Sequence, residues 1–164
     1  MSDRFKKIFL GVSISIPFLL YCIYYYSIMI RNAPYKFAEF KNITMKSGLG
    51  NHYDKFYSST SQQFKYLNGN DSLIVHRVKL SSDDLLYLHR KAADIGLWNM
   101  PKEMLGDTSN TAPRYYIEFD YQRKKKIIEI DAAFNGDPKL KDAALQIVKI
   151  VDKTIEDAND RQNH

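Results

Sequence analysis

Cysteine is nearly absent from this chain of 164 residues: the single one, Cys22, lies inside an apolar run. The remaining sequence therefore has no disulfide framework and no thiol nucleophile. Because cytosolic proteins and many bacterial envelope proteins both lack disulfides, the cysteine count leaves the compartment open.

Charge of either sign is missing from residues 8–30, which read IFLGVSISIPFLLYCIYYYSIMI. As a helix rising about 1.5 Å per residue, this run would span about 34 Å, enough to cross a hydrocarbon core of about 30 Å. Pro17 would kink such a helix without forbidding it. The run therefore predicts one transmembrane anchor helix that holds the protein in a membrane.

Aromatic and basic residues mark the C-terminal end of this run: Tyr24, Tyr25 and Tyr26 lie near its end, and Arg31 follows it. Tyrosine is enriched where a helix leaves the bilayer, so we predict that these four residues lie at the membrane interface. The hydrocarbon part is then roughly residues 8–23, extended by tilt or by the apolar end of the run.

Two kinds of processed N-terminus fit the sequence less well than an uncleaved anchor. Cleavage of a signal peptide after Ala33 would place Arg31 at the −3 position, where a small residue is needed. A lipoprotein needs a small residue before its lipidated cysteine, whereas Tyr21 precedes Cys22. We therefore expect the anchor to remain in the mature protein.

The basic residues on the two flanks of the run nearly balance, so the orientation rests on the length of each flank. Residues 1–7 are a short basic tail that is easiest to leave in the cytoplasm, whereas large C-terminal domains cross largely regardless of charge. The sequence thus predicts a single-pass protein of the inner (plasma) membrane with an extracytoplasmic C-terminal domain. The flanking cations are Arg4, Lys6 and Lys7 before the run, and Arg31, Lys36, Lys41 and Lys46 after it.

Most of the remaining chain is predicted to be one domain. Residues 31–36 form a linker, residues 37–159 the domain, and residues 160–164 a disordered tail. Short apolar and aromatic runs, separated by glycines and by the Asn68-Gly69 turn signal, predict an antiparallel meander before residue 80.

Capping signals predict two helices in this domain. Ser81 is a plausible N-cap with Asp84 three residues later, an apolar stripe follows, and Gly96 is suited to the C-terminal end. Asp137 caps a closing helix that has Pro138 at its first position. Both helices have one apolar stripe, so each is expected to pack against a core.

Between the two helices, residues 115–120 and 127–131 alternate apolar and polar side chains and predict a strand hairpin. The order of strands, helix, two strands and helix contains no βαβ repetition. The predicted class is therefore α+β, an antiparallel sheet of about five to six strands with two helices packed on one face, preceded by one transmembrane helix.

A short pattern surrounds this hairpin: a helix stands before Gly96-Leu97-Trp98 and Pro101, and Thr111 and Pro113 stand before the hairpin and the closing helix. This pattern resembles an uncharacterised family of bacterial extracytoplasmic domains, many of which are lipoproteins. The resemblance covers roughly residues 42–157. It implies an envelope location and a similar fold, but no activity. This chain departs from the family in having a spanning anchor and no cysteine pair in its early glycine-containing loop.

The sequence predicts no metal or cofactor site. The folded region contains His52, His76 and His89, and none has further ligands at the spacing of a metal site. The glycines at 48 and 50 lack the third glycine of a dinucleotide fingerprint. We expect the three histidines to be packed or surface residues, with His76 half-buried on its strand.

Four carboxylates, Glu118, Asp120, Glu129 and Asp131, alternate with apolar residues on the hairpin. Paired carboxylates can act as acid and base when they are held close and desolvated. Alternation places these four opposite the apolar face, where solvated carboxylates are common, and no catalytic motif accompanies them. We expect no enzymatic activity, with an envelope enzyme that uses these carboxylates as an alternative.

The turn of the hairpin has the densest cluster of charge in the sequence: Arg123, Lys124, Lys125 and Lys126. In a cytoplasmic domain these cations could bind anionic lipid headgroups or the phosphates of nucleic acid. Charged residues also solvate a hairpin tip and protect a sheet edge, and the nearby carboxylates favour this second explanation. From Arg31 onward, 21 Lys and Arg residues stand against 18 Asp and Glu residues, and this net charge of +3 is too small to indicate a nucleic-acid partner.

Aromatic residues at the ends of the long loop are candidate partner-binding residues: Trp98, Tyr115 and Tyr116. Tyrosine and tryptophan are favoured at protein interfaces, but the same residues can build an aromatic core. We predict a non-enzymatic interaction module of the cell envelope. Its partner would be another envelope protein, contacted through residues 98–113 or through an exposed sheet face.

Overall fold

The computed structural model of the chain describes residues 3–32, 35–69 and 71–163. Its contacts divide the chain into two compact units, Met1–Pro34 and Tyr35–His164, and each unit is described by itself. The predicted linker falls at the boundary between them, and its residues 33 and 34 lie outside the described part of the chain.

The first unit is one helix, α1 (Asp3–Asn32), with Pro17 inside it. Within α1, Lys6–Ile30 is long and apolar enough to cross a membrane by length and composition, and its most apolar window is not buried. The three tyrosines at 24–26 are exposed on this helix. The predicted anchor thus coincides with a helix that is compatible with a single membrane span. Arg31 belongs to α1, but its side chain lies outside the described part of the chain.

Seven strands form one sheet in the second unit. In chain order they are β1 (Phe40–Leu49), β2 (His52–Ser58), β3 (Gln63–Leu67), β4 (Leu73–Arg77), β5 (Glu103–Met104), β6 (Pro113–Tyr121) and β7 (Lys125–Asp131). Their order across the sheet is β4-β3-β2-β1-β6-β7-β5. The α+β class and the β6–β7 hairpin are confirmed.

The prediction of five to six antiparallel strands is wrong in two respects: the sheet has seven strands, and β5 is parallel to β7. The pairing places Glu103 opposite Glu129, whose backbone amide also donates to the carbonyl oxygen of Lys102 at 2.7 Å. A two-residue strand has no periodicity for a sequence to display. Only the tertiary pairing with β7 makes this segment a strand.

Two helices complete the domain: α2 (Ser82–Asp94) and α3 (Pro138–Asn163). The capping box between Ser81 and Asp84 is present, with both reciprocal hydrogen bonds. Gly96 adopts the left-handed conformation that its position after α2 favours, with φ of 81°. Because α3 continues to Asn163, residues 160–163, expected in a disordered tail, are helical.

One hydrophobic core joins the helices to the sheet. Alternate strand residues such as Ile43 and Phe119 are fully buried with Leu88 of α2 and Ile147 of α3. Two helices packed on one face of the sheet were predicted, and the observed packing differs in detail. Helix α3 contacts β7, whereas α2 lies mainly against α3 and a short 3-10 helix, Leu97–Asn99. Strand side chains that alternate with the core residues point the other way, and we call that side of the sheet the outer face.

Candidate interaction surface

Side chains on the outer face of β1, β2, β6 and β7 form one connected cluster, which we call the outer network. The register brings them together, because Gly48 lies opposite both Tyr53 and Arg114. Tyr116 likewise lies opposite Lys46 and Glu129 on the two neighbouring strands. The cluster combines two tyrosines, three cations and two glutamates: Tyr53, Tyr116, Lys46, Arg114, Lys125, Glu118 and Glu129.

Glu129 is the acceptor in one half of the outer network. The hydroxyl of Tyr53 donates to its Oε1 atom at 2.8 Å, and Nη1 of Arg114 lies 3.8 Å from the same oxygen. Arg114 also donates to the side-chain oxygens of Asn51 and Asn110. Since Arg114 is only 7% exposed, protein groups rather than bulk water compensate most of its charge.

Glu118 is the acceptor in the other half. The hydroxyl of Tyr116 donates to its Oε2 atom at 2.5 Å, and Nζ of Lys125 lies 3.0 Å from Oε1. Lys125 also lies 3.4 Å from Asp120. Lys46 joins the two halves, because its Nζ atom lies 4.9 Å from the ring centroid of Tyr116 and 5.9 Å from that of Tyr53.

The prediction that the hairpin carboxylates are solvated is wrong. Glu118 and Glu129 do lie on the outer face, but their side chains are only 16% and 23% exposed, and Asp131 is fully buried. Neighbouring tyrosine, lysine and arginine side chains cover Glu118 and Glu129. Alternation along one strand cannot reveal such contacts between strands.

The electrostatics of the outer network keep Glu118 an acceptor. Burial by itself would raise the pKa of Glu118, but the hydrogen bonds from Tyr116 and Lys125 outweigh it and hold that pKa below its ordinary value. Burial, followed by the hydrogen bond to Glu129, raises the pKa of Tyr53 well above its ordinary value. At neutral pH the tyrosines are therefore donors and Glu118 is ionised. Glu118 therefore lacks the raised pKa that a general acid needs.

The loop between β5 and β6 borders this network. The backbone amides of Gly106 and Asp107 donate to Oδ2 of buried Asp131 at 2.8 and 3.0 Å. The carboxylate of Asp107 accepts in turn from the amides of Ser109, Thr111 and Ala112. The loop is thus held by backbone-to-carboxylate hydrogen bonds in a defined conformation.

The three candidate partner-binding residues are not brought together. Trp98 is half-buried in an aromatic cluster, stacked on Tyr35 with ring centroids 4.5 Å apart and meeting Phe119 edge-on at 5.7 Å. Tyr115 packs against the hydrophobic core. Only Tyr116 belongs to the outer network. Sequence reasoning missed Lys46, Tyr53 and Arg114, although alternation along β6 places Arg114 on the same side as Tyr116.

The basic hairpin is exposed to solvent at residues 122–125, and its cations also contact neighbouring groups of the domain. Nε of Arg123 lies 2.7 Å from Glu39, and Nζ of Lys124 lies 5.3 Å from the ring centroid of Tyr35. Lys126 donates to the backbone carbonyl of Met100 at 2.5 Å. Together with Lys125, which pairs with Glu118, all four cations have defined neighbours.

The three histidines of the described domain lie in different surroundings. His52 is exposed, and His76, expected to be half-buried, is also exposed and stacks on Tyr66 with centroids 5.9 Å apart. His89 is half-buried and shares a hydrogen bond of 2.7 Å with the hydroxyl of Tyr121, and burial lowers its pKa. Within residues 3–32, 35–69 and 71–163, no group of three or more His, Cys, Asp or Glu residues is placed to hold a metal ion.

Comparison with known proteins found no match, either to a protein family or to a curated protein. The resemblance to bacterial extracytoplasmic domains therefore remains a prediction from the sequence.

Proposed function

We propose that the protein is a single-pass membrane protein with an extracytoplasmic α+β domain, and that this domain is a non-enzymatic interaction module of the cell envelope. The observation that carries the proposal is the outer network, a polar and aromatic patch to which no helix of the described domain contributes a side chain. The apolar helix α1 and the resemblance to extracytoplasmic domains support the location.

The composition of the outer network fits protein recognition. Tyrosine and arginine are the residues that most often contribute large binding energies at interfaces. Tyr53 and Tyr116 are already held by hydrogen bonds of 2.8 and 2.5 Å, so little side-chain freedom would be lost on binding. Donors and acceptors alternate across the patch, which favours a partner with a complementary polar surface rather than an apolar one.

An enzyme that uses the strand carboxylates is less well supported. Glu118 accepts from Tyr116 and Lys125, and Glu129 accepts from Tyr53, so neighbouring side chains hold both carboxylates in place. A general acid needs a raised pKa, whereas these donors lower the pKa of Glu118. The version in which the long loop binds through Trp98 is also weakened, because that ring packs within the domain.

Topology tests the location. Two reporters fused after His164, one active only outside the cytoplasm and one only inside it, should give an outside signal. An inside signal would refute the extracytoplasmic assignment, and it would leave the interaction surface to be sought among cytoplasmic partners.

Site-specific photocrosslinking tests the binding surface in the full-length protein. A photoreactive residue at Thr44 or Lys65, both on the outer face, should give one defined crosslinked product in cells. The same residue at Gln146 or Lys149 on α3 is the matched control and should not give it. Tyr116→Ala should abolish the product formed from Thr44. A product that forms only from α3, or that survives this substitution, would contradict the proposal.

A further inference from the structure

The chain that follows α1 is fastened to the domain at Tyr35. This residue is 7% exposed, its ring stacks on Trp98 at 4.5 Å, and it meets the ring of Tyr121 edge-on at 5.4 Å. Three covalent steps separate Asn32, the last residue of α1, from Tyr35. At about 3.6 Å per residue they cannot exceed about 11 Å.

Lysines surround this point of attachment. A shallow cavity of about 260 Å³, which we call the lysine cavity, is lined by Tyr35 and Trp98 together with Lys102, Lys124 and Lys126. Of the seven residues that line it within the described chain, four are lysines and none is acidic. Arg123, beside it, is held by Glu39 at 2.7 Å, which keeps the hairpin against the first residues of the domain.

The lysines of the cavity differ in their availability to a ligand. Lys125 is engaged with Glu118 and Asp120 on the outer face, and Lys126 donates to the carbonyl of Met100. Nζ of Lys124 lies over the Tyr35 ring, where it keeps hydrogen-bonding capacity toward the cavity. Lys102 forms an ion pair with its exposed neighbour Glu103 at 3.6 Å, and such surface pairs are weak.

We propose that the lysine cavity binds the anionic headgroup of a phospholipid in the bilayer that holds α1, with Lys102 and Lys124 as the principal phosphate ligands. The inference rests on the membrane span in the proposed function, but not on the side of the membrane. The spanning segment ends at Ile30, and the headgroup layer is about 5–7 Å thick on each side. A linker of this length allows the cavity to reach the lipid phosphates.

This binding would orient the domain on the membrane. A contact between the lysine cavity and a lipid headgroup would restrict the orientations of the domain, and with it those of the outer network, at the bilayer surface. Lipid composition would then control how the interaction surface is presented.

The full-length protein in nanodiscs provides the test, because Trp98 is the only tryptophan and lies in the cavity. The nanodiscs contain phosphatidylcholine with a fixed fraction spin-labelled at the headgroup, with or without phosphatidylglycerol. We expect stronger quenching of Trp98 fluorescence when phosphatidylglycerol is present, and loss of the difference at high salt. The double variant Lys102→Gln with Lys124→Gln should lower the ratio of lipid-bound to unbound domain by about 25-fold. Each lysine near an anionic surface contributes about fivefold to that ratio.

Lys139→Gln with Lys149→Gln is the matched control, since it removes the same charge from exposed positions on α3 and should preserve quenching. Equal quenching with and without phosphatidylglycerol, or equal loss in both double variants, would overturn the proposal.

Inorganic phosphate added to phosphatidylcholine nanodiscs should have no effect on the quenching of Trp98. A matching change would identify a soluble phosphate ligand and overturn the lipid assignment. Failure of α1 to insert would contradict the membrane span itself, and extraction of the nanodisc sample at high pH measures that separately.

Discussion

The hydroxyl of Tyr53 on β2 reaches Glu129 on β7 at 2.8 Å, although β1 and β6 lie between these two strands. The side chain can cross β1 because the residue opposite Tyr53 there is Gly48, which has no side chain of its own. A Cβ atom at Gly48 would lie 2.0 Å from the carbonyl oxygen of His52. One hydrogen bond thus links β2 to β7 across the two strands that lie between them on the outer face.

Replacing Tyr53 by Phe should lower the free energy of unfolding by about 2 kcal/mol, because a hydrogen bond to a charged acceptor is lost and Glu129 keeps only the longer contact with Arg114. Urea unfolding of the solubilised full-length protein, followed by circular dichroism, measures the change. Tyr66→Phe is the control: its hydroxyl lies 3.5 Å from His76 in an exposed position, so the cost should stay below about 0.5 kcal/mol. Equal costs would show that the Tyr53 bond does not stabilise the fold.

Gly50→Ala should destabilise the domain by about 2 kcal/mol or more. Gly50 has φ of 55°, and a Cβ atom there would lie 2.1 Å from the carbonyl oxygen of Asn110, so both backbone conformation and space exclude a side chain. Gly69→Ala provides the comparison, because nothing lies within 4 Å of its Cβ position. Thermal unfolding should separate the two variants clearly, and a neutral Gly50→Ala would mean that the 105–112 loop does not pack there.

Asp84→Asn should cost about 1 kcal/mol at pH 7, because Asp84 closes the capping box of α2 and pairs with Arg161 of α3 at 2.7 Å. Burial would raise the pKa of Asp84, but hydrogen bonds from Ser81 and the charge of Arg161 hold it below its ordinary value of 3.8. A lowered pKa in the folded state stabilises the protein above that value, and the stabilisation is lost as the pH falls through the folded pKa.

The difference in unfolding free energy between the natural chain and Asp84→Asn should therefore be full at pH 7 and shrink as the pH falls below about 4. Asp83→Asn, one residue earlier in the first turn and exposed, should change stability by less than about 0.5 kcal/mol at either pH. A difference that does not depend on pH would assign the effect to packing rather than to the charge.

Trp98→Ala should destabilise the domain by about 3 kcal/mol, because its ring packs against Tyr35 and Phe119 in the aromatic cluster. Tyr87→Ala, which removes a ring that is 46% exposed on α2, should cost less than about 1 kcal/mol. Far-ultraviolet circular dichroism during urea unfolding measures both variants. If Trp98→Ala kept full stability, the ring would be available for a partner, as the loop hypothesis requires.

Local signals predicted several elements correctly because the causes are local. The Ser81–Asp84 capping box, the left-handed Gly96 and the alternation of β6 each depend on residues within a few positions of one another. The parallel strand β5 could not be predicted, since two residues show no pattern and the pairing with β7 is non-local.

The candidate site was predicted only in part for the same reason. The sequence indicated that Glu118 and Glu129 share a face, but not that Tyr116 and Tyr53 would cover them. Trp98 had two interpretations of equal standing, and only the position of Tyr35 against its ring distinguishes them.

By itself the sequence determined the apolar N-terminal helix, the caps of the domain helices and the α+β class, because hydropathy, capping and alternation act between residues close in the chain. The tertiary structure decided which polar side chains meet. The outer network and the lysine cavity each require register between strands that are far apart in sequence, and Tyr53 and Glu129 are separated by 76 positions. That register is set by the packing of the whole sheet on its helices, which no local pattern specifies.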